Sequence, residues 1–193
     1  MDIINRIKNV LVSPKTEWVA IEAETEPHVK VLTSYVAPLA LIPAVAAFIG
    51  YGLIGYSVLG VNITSSSFGL RQAIVLYITL VGGVYLTAFV IDMLAEKFGA
   101  VKDLNRAFSL VAYAYTPMFV AGVFYILPAL SWIASLAGIY GLYLLYIGLQ
   151  PMMKAPNDKQ TSYFVVSLIV TILVSFILSA ILSALLLKGM SVF

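Results

Sequence analysis

Few ionisable residues in this 193-residue chain stand where chemistry would single them out. Asp92 and Glu96 are four apart, so on a helix they share one face. Lys97, Lys102, Asp103 and Arg106 follow closely. A carboxylate held at membrane depth is a functional candidate by default. Asp92, with Glu96 below it and Arg106 as counter-charge, is therefore a candidate polar or ion site. The competing reading is an interfacial ion-pair cluster that fixes the connection between two helices. Asp92 is the twenty-first residue after Arg71, which puts it near a bilayer boundary; transporters usually bind near the midplane. A second group, Tyr113, Tyr115 and Pro117 with Tyr140, Tyr143 and Tyr146, could line a small cavity beside a helix break. Tyrosine hydroxyls in a packed bundle are more often structural hydrogen bonds.

The rest of the inventory excludes most catalytic templates. There is no cysteine and one histidine, His28, which reads as a loop residue without a role. Zinc and soft-metal sites need three or four thiolate or imidazole ligands. A serine nucleophile needs an adjacent base, and the single imidazole lies away from nearly every serine. No glycine-rich phosphate loop occurs. The expectation is a non-enzymatic protein that uses no cofactor and no metal.

The elements that position these residues follow from hydropathy. Hydrophobic residues make up 62% of the chain and charged residues 10%, where a soluble domain carries about 25% charged. Secreted, disordered, fibrous and nucleic-acid-binding classes are excluded, which leaves an all-α polytopic membrane protein. A span needs about 20 apolar residues, and the charges divide the chain into uncharged runs at 31–70, 72–91, 107–153 and 160–187. The first run ends in a polar, turn-rich stretch, Asn62 to Gly69, and so holds one span. The third is long enough for two, parted near Pro128, because proline disfavours helix at the residue before it. Five transmembrane helices are predicted, at about 31–58, 72–96, 107–127, 131–150 and 162–187. The first apolar stretch starts too late and runs too long for a cleaved signal peptide.

Arg6, Lys8, Lys15, Lys30, Lys97, Lys102, Arg106, Lys154 and Lys159 fall on one side of this arrangement, against Arg71 and Lys188 on the other. Basic residues near span ends favour the cytoplasm. The N-terminus is expected inside and the C-terminus outside.

Residues 1–30 form a hydrophilic arm ahead of the transmembrane domain, 31–193. Ile3, Ile4, Ile7, Val10 and Leu11 recur at helical spacing, with Arg6, Lys8 and Asn9 mainly elsewhere, which predicts an amphipathic helix able to lie in the headgroup plane. Ser13-Pro14 reads as a cap and first position of a second helix, on which Trp18 suits an interfacial anchor. Trp18, Glu22 and Glu24 are candidate partner-binding residues. The alternative is that the arm packs on the bundle's inner mouth and shows water an ordinary charged face. In the last span Ser167, Thr171, Ser175, Ser179 and Ser183 recur every four residues. Small residues at that spacing let helices approach closely, so the stripe reads as a packing seam toward another span or a second subunit, making a homo-oligomer possible.

Four stretches carry a family resemblance: Arg6-Ile7-Lys8-Asn9-Val10-Leu11-Val12-Ser13-Pro14-Lys15-Thr16-Glu17-Trp18; Phe98-Gly99-Ala100; Ala112-Tyr113-Ala114-Tyr115-Thr116-Pro117; and Tyr140-Gly141-Leu142-Tyr143-Leu144-Leu145-Tyr146-Ile147-Gly148-Leu149 ahead of Lys154-Ala155-Pro156-Asn157-Asp158-Lys159. Together they resemble the Yip (Ypt-interacting protein) family of five-span membrane proteins in its short prokaryotic form. The resemblance implies five spans, a cytoplasmic N-terminus and placement in a bacterial inner membrane. Eukaryotic members bind small Rab/Ypt GTPases in vesicle traffic. This sequence lacks their long cytosolic tail and Asp-Leu-Tyr-Gly segment and has Ala100 where a second glycine is usual, so Rab binding is not carried over. The leading expectation is an adaptor or organiser in the lipid bilayer that engages an unidentified protein partner through its arm and loops. A small transporter or channel is the alternative.

Overall fold

The computed structural model describes residues 2–24, 26–58 and 61–190, with side chains described outside 56–63 and 178–190. Helix α1 (Ile3–Val12) and helix α2 (Pro14–Glu24) form an N-terminal hairpin. Asp2 caps α1 by accepting from the Ile4 amide, and proline opens α2, where its missing N–H is not needed. Five longer helices follow: span 1 (His28–Ile54), span 2 (Ser66–Phe98), span 3 (Leu104–Ile126), span 4 (Pro128–Met153) and span 5, helical over Gln160–Met190. Each is long and apolar enough to cross a bilayer. Observed bounds differ from the sequence bounds by a few residues. Span 1 begins before its charged Lys30, span 2 begins at its Ser65 cap rather than after Arg71, and span 1 stops at Ile54. Residues Tyr56–Val58 (β1) and Val61–Ile63 (β2) instead pair as a short antiparallel hairpin on the far side from the arm. Gly55, at φ 87°, makes the turn into it, a conformation that favours glycine.

Two spans are interrupted, and proline accounts for part of each break. In span 1 the stretch Leu32–Val36 is π-helical. Pro38 has no amide to give Ser34, and the Ala37 amide reaches back five residues to the Leu32 carbonyl. A second π segment, Phe48–Ile54, ends the span. Span 3 breaks at Tyr115. Pro117 leaves the Tyr113 carbonyl without its helical donor, and the Thr116 hydroxyl replaces that donor at 2.6 Å. A neighbouring side chain satisfies the freed group, so the break is stable in an apolar setting.

Glycines set how closely the spans approach. A Cβ on Gly69 would stand 2.4 Å from the Gly52 Cα, and one on Gly122 would stand 2.4 Å from Pro43. Span 3 is the central helix, with Ala107, Phe108, Leu110, Val111 and Ala112 all fully buried. Span 5 packs on spans 2 and 4. Outward faces of spans 2, 4 and 5 are apolar and exposed, among them Ile78, Phe89, Ile139, Leu142, Ile169 and Phe176. Such a surface suits lipid and not water.

The arm belongs to the same core as the spans: Val10, Trp18 and Ile21 are buried in it. Helix α1 docks on span 3 and on α2. Arg6 and Val10 face inward while Ile4 and Val12 are exposed.

Candidate functional site

The polar residues of the arm side gather into two linked sites, an arginine-centred cluster and a surface clamp. Arg6 is 4% exposed. Its guanidinium donates to Glu17 Oε1 at 2.7 Å through Nη1 and to Glu24 Oε2 through Nη2. The Arg6 guanidinium also lies 5.4 Å from the centre of the Tyr113 ring, a cation–π distance. Tyr113 packs edge-on to Tyr35 at 4.7 Å, and the Tyr35 hydroxyl is 2.7 Å from Thr116 Oγ1. Because Thr116 donates to the Tyr113 carbonyl, Tyr35 is the donor in that pair. Arg6 is thereby connected, through Tyr113, to the break in span 3 and the π turn in span 1. A cavity of about 200 Å³ opens beside this cluster, lined by Arg6, Glu24, Glu26, Lys30, Tyr35 and Tyr113. Its charges balance, two of each sign.

The clamp is Glu22. Its Oε1 accepts from Arg106 at 3.0 Å and from Lys154 at 2.9 Å. Those hydrogen bonds hold the Glu22 carboxyl below its ordinary pKa. Arg106 also donates to the Met152 carbonyl at 3.3 Å, and Asp103 caps span 3 while facing Arg106 at 3.6 Å. The Val101 amide donates to the Met153 carbonyl at 2.8 Å. These bonds serve the last carbonyls of span 4, which have no helical partner. Lys154, at φ 52°, ends span 4 in the left-handed region. His28 joins the same surface: Asn105 Oδ1 accepts from its backbone amide at 2.8 Å and stands 2.8 Å from its Nδ1. The arm, the segment between spans 2 and 3, and the segment between spans 4 and 5 are thus held by one network.

Several expected site residues are placed differently from their sequence reading. Trp18, expected as an interfacial anchor, is 2% exposed and packs against Gly148, where a Cβ would come within 2.8 Å of the indole. The absence of a side chain at Gly148 is what admits the ring. Glu22 and Glu24 face internal cations. Arg106 serves Glu22 and Asp103 and not Asp92. Glu96 is exposed and stands 3.9 Å from Lys102. Asp92 Oδ1 is buried with no hydrogen-bond partner among the described residues.

The tyrosines do not share one cavity. Tyr113 faces Arg6, while Tyr115 faces span 2, with its hydroxyl 3.4 Å from Thr87. Tyr140 donates to the Leu11 carbonyl at 2.8 Å and so caps α1. Tyr143 stacks on Tyr140 and is exposed. Pro117 is buried at the break. On span 5, Ser167 is buried and Thr171 and Ser175 are half-buried. The side chains of Ser179 and Ser183 lie outside the described residues. Tyr163, one turn before Ser167, donates to the Ile91 carbonyl at 2.6 Å, so this part of the seam faces span 2.

Arg6, Glu17, Tyr35 and Thr116 were missed by sequence reasoning. The signal for Arg6 was present. It shares the 3-6-7-10 face with Ile3, Ile7 and Val10, and Glu17 shares a face with Ile21.

Five apolar helices, an apolar outer surface and a docked amphipathic hairpin define a polytopic integral membrane protein. The Yip1 domain model matches residues 8–181, so the chain belongs to the Yip family. It is 29% identical over 156 residues to the inner membrane protein YohC of Escherichia coli strain K12, covering 78% of this chain and 80% of that protein. The YohC protein of Escherichia coli O6:H1 matches to the same extent. No solved structure matches the chain.

Proposed function

We propose that this protein is a non-enzymatic adaptor or organiser of a bacterial inner membrane, with its N-terminus in the cytoplasm. The observation that carries the reading is the Glu22 clamp, which joins the arm and two inter-span segments into one fixed surface. A fixed surface binds a partner without the ordering cost of a loose tail. Nine basic residues on the arm side against two on the other support a cytoplasmic arm, and the relatives named inner membrane proteins support the location. Residues available to a partner are those beside the clamp, such as the exposed Ala20 and Ala23. Trp18, Glu22 and Glu24 act by holding that surface in shape. The test is photo-crosslinking from a probe at Ala23 in native membranes, with captured species identified by mass spectrometry. A discrete protein, lost when Glu22→Ala loosens the surface, supports the adaptor. Capture of lipid alone refutes it. Self-association through span 5 would show as a product of twice the chain mass.

A second reading rests on the cavity at Arg6 and Tyr113, which lies between two interrupted spans, a setting used by transporters. It predicts ion or solute flux in liposomes that Tyr113→Phe abolishes while the protein still folds; Asp92, buried outside that cavity, would be a separate coupling group, tested by Asp92→Asn.

A further inference from the structure

Helix α2 and the arm-side ends of spans 4 and 5 enclose an open groove of about 740 Å³, separate from the arginine cluster. Lys15, Lys154 and Gln150 line it as polar groups, and Trp18, Val19 and Ile147 form its apolar wall. Among the described residues no carboxylate lines it. Lys154 is matched by Glu22, a carboxylate that also serves Arg106. Lys15 is exposed and makes no hydrogen bond or ion pair among the described residues. Positive charge is therefore in surplus at this groove.

The groove continues into an apolar surface. On span 4, Leu142 and Ile139 lie four and seven residues before the groove residue Tyr146, and both are exposed. Helical spacing puts both on the face of span 4 that leads away from the groove toward the bilayer. A ligand that fits has an anionic head and apolar tails.

We propose that the groove binds an anionic glycerophospholipid, with the phosphate between Lys15 and Lys154 and the acyl chains along the exposed face of span 4. A net negative headgroup is favoured because a zwitterionic one brings an ammonium toward two lysines. The inference rests on the membrane placement and is independent of any protein partner.

The test uses the full chain carrying Trp132→Phe. Trp132 is 57% exposed, and the substitution leaves Trp18 as the single tryptophan of the two. The protein is placed in phosphatidylcholine nanodiscs with increasing phosphatidylglycerol, and quenching of Trp18 by acyl-brominated phosphatidylglycerol is compared with quenching by acyl-brominated phosphatidylcholine. The expected result is stronger quenching by the anionic lipid at equal mole fraction. Lys15→Gln should reduce that preference roughly fivefold, the effect of one basic residue at an anionic surface. Lys154→Asn, which suits the left-handed backbone there, should also reduce it. Equal quenching by the two lipids overturns the proposal, as does a preference that Lys15→Gln leaves unchanged. Loss of the preference on adding inorganic phosphate assigns the groove to free phosphate and overturns the lipid.

Discussion

Arg6 offers the sharpest energetic test of the docked arm. In Arg6→Met the side chain keeps an apolar stem but loses its charge, leaving Glu17, whose side chain is 8% exposed, without its cation. Breaking a buried pair by removing one partner costs about 3–5 kcal/mol, because the remaining charge is stranded. Glu24 is 46% exposed and turns to water at little cost, so the expected loss comes from Glu17 alone. Replacing both residues, Arg6→Met with Glu17→Met, removes the stranded charge and should recover most of the loss, since apolar replacements of buried pairs are often close to neutral. For a chain of this length roughly 2–4 °C accompanies each kcal/mol. The single variant should therefore melt roughly 6–20 °C lower in detergent, with the double variant within a few degrees of the parent. A single variant as stable as the parent would refute the reasoning, as would a double variant worse than the single one.

Three further outcomes are expected. Gly148→Ala puts a Cβ 2.5 Å from Leu110 and 2.8 Å from Trp18, so it should cost about 1–3 kcal/mol by overpacking and detach α2, measured as faster proteolysis of the arm. Thr116→Val keeps the side-chain shape but strands the Tyr113 carbonyl, at a cost of about 1–3 kcal/mol in thermal unfolding. Glu22 has a folded pKa below its ordinary 4.5. Its contribution is present above that value and is lost as pH falls through the lower folded value, so arm protection should weaken in acid and Glu22→Gln should remove that component of the pH profile.

Span number and placement were legible because each depends on the length of an apolar run between charges, a property of the local sequence. The docking of the arm was not. Arg6 was read as a surface charge because charges on amphipathic helices usually face water. Its burial depends on Glu17 eleven residues later and on Tyr113 in span 3, pairings set by tertiary packing. Trp18 looked like an interfacial residue by type, and only the empty position at Gly148 shows where its ring goes. Tyr113, Tyr115 and Pro117 stand out in the sequence as a candidate cavity beside a helix break, and span 3 does break at Tyr115. Tyr113 and Tyr115 are two residues apart, however, and point to different sides, so the Tyr113 ring faces Arg6 while the Tyr115 hydroxyl faces Thr87. Thr116, which completes the break, was passed over because its hydroxyl partner is the carbonyl that proline frees three residues earlier.

The central claim is that the N-terminal hairpin is part of the folded bundle on its cytoplasmic side. The chain has no native cysteine, so single cysteines report cleanly. Ala23 is exposed and Ile21 is 3% exposed. Labelling Ala23→Cys and Ile21→Cys with a membrane-impermeant maleimide, in sealed vesicles of each orientation, tests the claim directly. The account predicts rapid labelling at position 23 only when the cytoplasmic face is outward, with position 21 protected in both orientations. Equal labelling at the two positions would show a free arm, and labelling of position 23 from the opposite face would reverse the topology.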